Sequence, residues 1–205
     1  MNFMKHFKYT LIFAALVSSA SAMAVEPSGN PSGTVSINGT IRNSTCSIGA
    51  PSTTTVNFDI SKADINNAKA YDVITRENTP VTISVSNCQN TALGMTVSAT
   101  AYDPYGATHG LFQKAEDPDS VLFYYVGLEK SAYVRGGDEA SLAGYNIVQL
   151  DGNNAATNPV IIKDETGSGD FDLTLSTIVV RNGSSSAANL GSKLNTSYTY
   201  TFTYV

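Results

Sequence analysis

The sequence contains no tryptophan, two cysteines and two histidines, and only 14% of its residues are charged. Each scarcity removes a class of function. One histidine, His6, lies in the leading segment, so His109 is the remaining candidate for a catalytic base. No nucleophile motif surrounds it, and it reads as a solvated loop residue. Two cysteines are too few for a structural zinc site. Twelve Lys and Arg against seventeen Asp and Glu, scattered along the chain, leave no basic stripe for nucleic acid or anionic lipid. Long apolar runs are also missing: the longest, Tyr9 to Val17, is too short to cross a bilayer. No stretch beyond it holds a helical period bounded by caps. The reading is of a non-enzyme with no cofactor, no metal, no nucleic acid and no membrane insertion.

What is present begins with an export signal. Lys5 and Lys8 precede the Tyr9 to Val17 run, and small residues follow it, the pattern of a secretory signal peptide. Two small-x-small sites compete, ending at Ala22 and Ala24. Cleavage after Ala24 assigns residues 1–24 to the signal, and losing its two lysines takes the formal net charge from −5 to −7. In an exported chain Cys46 and Cys88 read as one disulfide, since the compartments outside the cytoplasm are oxidising.

Apolar alternation recurs in short bursts separated by Gly, Asn, Asp, Ser and Pro, which makes the class all-β. Strands are expected near 35–41, 46–48, 54–58, 81–85, 95–101, 121–126, 145–149, 160–162, 171–180 and 198–205, with a weakly signalled helix or turn around 60–70. So many strands in one domain point to a single sandwich of immunoglobulin-like type. Asp151 to Asn154, "DGNN", signals a hairpin turn. Tyr102 to Ser120 reads as a surface excursion, rich in Pro, Gly and Asp. Two acidic runs, Glu116, Asp117 and Asp119, and Asp164, Glu165, Asp170 and Asp172, lack the spacing of a calcium loop and read as solvated turns.

The two chain ends carry the strongest signal. "SYTYTFTYV" alternates Tyr198, Tyr200, Phe202 and Tyr204 with threonines, a strand with one aromatic and one polar face. Near the other end, "VEPSGNPSG" cannot hold regular structure. Directly after it, "TVSINGTI" places Val35, Ile37, Gly39 and Ile41 on one face. A long aromatic strand at a sheet edge is an aggregation hazard unless something pairs with it.

"GTVSINGTIRNSTC" (Gly33 to Cys46), "VTISVSNC" (Val81 to Cys88) and a terminal alternating strand with penultimate Tyr204 together resemble the pilin subunits of bacterial chaperone–usher fimbriae. The match runs in order through the mature chain. It departs at one point: the family has a glycine at the fourteenth position from the end, where this sequence has Ser192 and Gly191 is the fifteenth. The resemblance implies an incomplete immunoglobulin-like β-sandwich that lacks its last strand and is completed by donor-strand exchange. Residues 25–42 are then a donor extension and 43–205 the pilin domain. It implies Val35, Ile37, Gly39 and Ile41 as the donor, with Gly39 passing a bulky groove residue. Tyr198, Tyr200, Phe202 and Tyr204 become the groove and chaperone-binding strand. The implied partners are a periplasmic chaperone, an outer-membrane usher and neighbouring subunits, in a fimbrium at the bacterial cell surface that supports adhesion. Two alternatives stand beside this. The leading strand pairs within its own sheet or folds back into its own groove, or the chain is a minor or tip-proximal subunit whose 102–120 loop, with Tyr105, His109 and Phe112, binds a host receptor.

Overall fold

The computed structural model describes residues 32–41, 46–77, 79–104, 106–150, 158–165, 167–183 and 186–205. The expected signal peptide, the Pro/Gly lead, the "DGNN" turn and Tyr105 lie outside them. In chain order the elements are β1 (Ser32–Ile41), β2 (Ser47–Ile48), β3 (Thr55–Asp59), α1 (Lys62–Asn67), β4 (Val73–Arg76), β5 (Val81–Ser86), β6 (Ala92–Ala99), β7 (Gly110–Leu111), β8 (Leu122–Glu129), β9 (Val134–Gly136), β10 (Tyr145–Ile147), β11 (Val160–Lys163), β12 (Phe171–Arg181) and β13 (Lys193–Tyr204). The chain is all-β, as its alternation requires.

One sheet runs β3-β1-β13-β6-β11-β9, and the other runs β10-β8-β12-β5-β2, with β4 added to β12 and β7 to β8. A single core cluster draws on both sheets, including Val35, Ile37, Phe58, Met95, Tyr198 and Phe202 from the first and Ile83, Tyr124, Val126 and Leu175 from the second. Their alternating positions point inward because successive side chains of a strand face opposite sides. In β8 both faces are covered: Phe123 and Tyr125, with Tyr145, Ile147, Ile178 and Val180, form a second cluster on the far side of that sheet. Strand β8 therefore reads as a continuous apolar run rather than an alternation.

Cys46 and Cys88 are joined, with Cα atoms 4.6 Å apart and 42 positions between them in sequence. The bond ties the entry to β2 to the exit from β5. In the chain-entropy account, closing that loop stabilises by about 4 kcal/mol. Reduction of the disulfide is expected to lower the melting temperature by roughly 10 °C, and thermal melts with and without reductant measure it. An unchanged melting temperature rules out a stabilising role for the bond.

Two surface readings are corrected. The 102–120 excursion is not simply exposed, since Phe112 is 3% accessible and its ring lies 5.8 Å from that of Phe58 and 5.6 Å from that of Tyr124. The excursion is also fastened to the start of β13. Gly191 N–H donates to Glu116 O (2.7 Å), and Asn195 Nδ2 donates to Glu116 Oε1 (2.6 Å). Asp117 is buried because its carboxylate accepts from Val121 N–H and Leu122 N–H at 2.8 and 2.9 Å. Asp164 is likewise buried and accepts from Gly169 N–H at 2.6 Å. These carboxylates are structural caps for loop backbone, not solvated turns. His109 stacks on Phe123 with ring centroids 4.1 Å apart and sits 3.9 Å from Asp103. Burial lowers its pKa, and the Asp103 charge partly offsets that.

Candidate strand-binding groove

The terminal aromatic strand is not at an edge. Strand β13 lies inside its sheet, antiparallel to β6 on one side, with Tyr198 opposite Ala99, Tyr200 opposite Val97 and Phe202 opposite Met95. On its other side is β1, running parallel, with Val35 opposite Thr196, Ile37 opposite Tyr198, Gly39 opposite Tyr200 and Ile41 opposite Phe202. The far edge of β1 is antiparallel to β3, Gly33 facing Phe58 and Val35 facing Val56, and Ile37 N–H extends that ladder to Thr54 O (2.8 Å). Among the described strands β3 pairs with β1 alone. The leading strand therefore occupies a slot between β3 and β13 and completes the sheet of its own chain.

The slot is made by side-chain size. Val35 and Ile37 are 0% and 1% accessible, and each such burial stabilises by about 1.5–3 kcal/mol. Tyr198, Tyr200 and Phe202 are all buried on the inward face of β13, with Tyr200 and Phe202 packed edge to face at 5.4 Å. Tyr204 departs from this set. It is 39% exposed, and its hydroxyl accepts from Cys46 N–H at 3.3 Å, so it fastens the disulfide corner rather than lining the groove. The backbone of Ile41 is in register with Phe202.

Gly39 is where close approach decides the residue type. A Cβ built there lies 2.5–2.6 Å from Cζ, the hydroxyl oxygen and Cε2 of Tyr200, well inside van der Waals contact. Beside it opens a cleft of about 250 Å³ lined by Gly39, Ile48, Gly49, Ala50, Pro51 and Tyr200. A second glycine does the same six residues earlier. A Cβ on Gly33 falls 1.9–2.7 Å from the outer atoms of the Phe58 ring. Gly33 and Phe58 were not among the residues expected at the groove. Their signal was present, since Gly33 shares the face of Val35, Ile37 and Gly39, but a glycine has no side chain to mark it as facing inward.

A buried polar chain supports the groove from the opposite sheet. Tyr198 hydroxyl and Thr177 Oγ1 are 3.2 Å apart, Thr177 N–H donates to Glu77 Oε2 (2.6 Å), and Tyr124 hydroxyl lies 3.2 Å from Thr196 Oγ1. Burial raises the pKa of Tyr198, and that of Tyr124 is pushed up to about 12, so both hydroxyls stay protonated donors. Burial also raises the Glu77 carboxyl above its ordinary 4.5, against hydrogen bonds that lower it.

The folded state therefore holds the Glu77 proton more tightly than the unfolded chain does. This group's contribution to stability is full at acid pH and is lost as pH rises from about 4.5 through the raised value. Glu77→Gln removes that dependence, so the variant is expected to gain on the parent as pH rises across this window. Paired thermal melts at successive pH values check it, and a gap that stays constant with pH contradicts it.

Among the described residues no group of three or more His, Cys, Asp or Glu is placed to hold a metal ion. The arrangement offers backbone hydrogen bonds along two strand edges and apolar sockets between them, which is the chemistry of holding an extended peptide. Comparison with models of known protein families finds no match, and neither does comparison with curated proteins.

Proposed function

We propose that this chain is a structural subunit of a chaperone–usher type fimbria, an immunoglobulin-like domain whose sheet is completed by a separable strand. Polymerisation then consists of one copy's leading strand entering the next copy's slot. The observation that carries the reading is that β1 alone bridges β3 to β13. Withdrawal of that one segment opens both strand edges and uncovers Val56, Phe58, Tyr198 and Tyr200. Such a slot is aggregation-prone when empty, so the proposal includes a periplasmic chaperone that fills it, an outer-membrane usher where the exchange occurs, and display at the bacterial surface in support of adhesion. The receptor-binding alternative is not favoured: Phe112 is a core residue and His109 is stacked on Phe123.

Unfolding and refolding over a range of concentrations tests this. A tethered strand competes at an effective concentration on the order of millimolar. Dilute refolding is expected to give monomers with β1 in its own slot, and refolding near that concentration to give linear multimers visible by electron microscopy. A chain that stays monomeric throughout and never exchanges strands with added copies contradicts the proposal.

A further inference from the structure

The inward face of β1 reads almost the same in both directions. From Gly33 to Gly39 the sequence is Gly-Thr-Val-Ser-Ile-Asn-Gly, centred on Ser36. Reversal about Ser36 exchanges Gly33 with Gly39, Val35 with Ile37, and Thr34 with Asn38. Each exchange swaps like for like: glycine for glycine, one β-branched aliphatic for another, one small polar residue for another.

The slot has a matching symmetry. Its two narrow points are the Phe58 ring, met by Gly33, and the Tyr200 ring, met by Gly39. They stand at the two levels that the reversal exchanges. A strand entering backwards in this register presents Gly39 to Phe58 and Gly33 to Tyr200, with Ile37 in the socket of Val35 and Val35 in that of Ile37. A slip of two residues in either direction drives Val35 or Ile37 against one of the rings.

We infer that the slot accepts this segment in both directions, parallel to β13 from its own chain and antiparallel to β13 from a second copy, and that Gly33 and Gly39 exchange roles between the two. The inference rests on the polymerisation reading above and adds the direction and register. Backbone geometry favours the reversed state. At present the ten-residue β1 runs parallel along β13 and antiparallel only along the five residues of β3. Parallel pairing is slightly less stable per residue, and reversal gives the antiparallel ladder to the longer edge. Exchange between copies is thus downhill once the tether's advantage has been overcome.

Two engineered disulfides read the direction. In the monomer Asn38 is level with Thr199, so Asn38→Cys with Thr199→Cys closes within one chain. After reversal about Ser36 it is Thr34 that is level with Thr199. Thr34→Cys with Thr199→Cys is therefore expected to cross-link neighbouring copies of assembled protein into a covalent ladder on a non-reducing gel, and to leave the monomer uncross-linked. If the Asn38 pair instead links neighbouring copies, direction is kept on exchange and the inference fails while polymerisation stands. If no multimer forms before oxidation, the polymerisation reading fails and takes this one with it.

A second readout does not depend on cysteines. Phe58→Leu removes the ring atoms that meet Gly33, and is expected to rescue Gly33→Ala in the stability of the monomer but Gly39→Ala in the yield of assembled protein, each several-fold. Rescue of Gly33→Ala in both measurements overturns the exchange of roles.

Discussion

A chain lacking residues 25–41 is expected to aggregate, and a synthetic peptide of residues 32–41 is expected to return it to a folded monomer. The deletion removes two fully buried side chains, Val35 and Ile37, worth together about 3–6 kcal/mol. It also strips hydrogen-bond partners from one edge of β13 and from β3, which has no other strand partner among the described strands. Native stability is typically about 5–15 kcal/mol, so a loss of this size consumes much of it. The open edge beside Tyr198 and Tyr200 then recruits other chains. Size-exclusion chromatography and thermal melts, with and without peptide, measure both halves of the expectation. A truncated chain that stays monomeric, melts where the parent melts and ignores the peptide shows that β1 is an accessory strand.

Gly39→Leu is expected to be the most damaging single change on β1. Its Cβ already collides with the Tyr200 ring, and three further carbon atoms follow it. Overpacking at such a point costs about 1–3 kcal/mol, occasionally more. The end of β1 is expected to lift from β13, lowering the melting temperature by several degrees and abolishing incorporation into multimers. Ser36→Leu introduces the same side chain on the outward face, where Ser36 is exposed, and should do far less. Tyr200→Leu removes the obstructing atoms and is expected to recover part of the stability lost by Gly39→Leu. A Gly39→Leu protein that melts and assembles as the parent does refutes the close-approach argument.

The strands were legible where alternation was strong. The expected strands near 35–41, 54–58, 81–85, 160–162 and 171–180 agree with β1, β3, β5, β11 and β12 to within a few residues at each end, and a short helix falls inside the expected 60–70 region. Strands β4, β7 and β9 were missed because two to four residues carry too little periodicity. The first third of β13 was also missed. Asn195 and Thr196 break its apolar face, and Thr196 is buried by virtue of hydrogen bonds to Leu111 O and Tyr124, which no hydropathy pattern records. Phe112 was placed on the surface because turn residues flank it, although one large side chain suffices to anchor a loop in the core.

Direction was illegible for a deeper reason. Alternation tells which residues of Ser197 to Val205 and Thr34 to Ile41 face inward, but a period of two is unchanged by reversal. The sequence thus named Val35, Ile37, Gly39, Tyr198, Tyr200 and Phe202 without saying how they meet. It also led to the expectation that the aromatic strand would be a bare edge, whereas the chain's own β1 covers it. Among the two alternatives for the leading strand, folding back is the state this structure adopts.

The pairing of β1 with β13 spans some 160 residues of intervening chain, as the Cys46 to Tyr204 hydrogen bond also does with a separation of 158. Contacts so distant in sequence close slowly, because the entropy of the loop is lost before the contact is gained. The rest of the sheet thus has time to form while the slot stands open. Whichever strand reaches it first during that interval determines whether the chain ends as a closed monomer or as a link in a longer assembly. The fate of each molecule is in this sense set by a race, and the supply of competing strands, more than the final energies, decides its outcome.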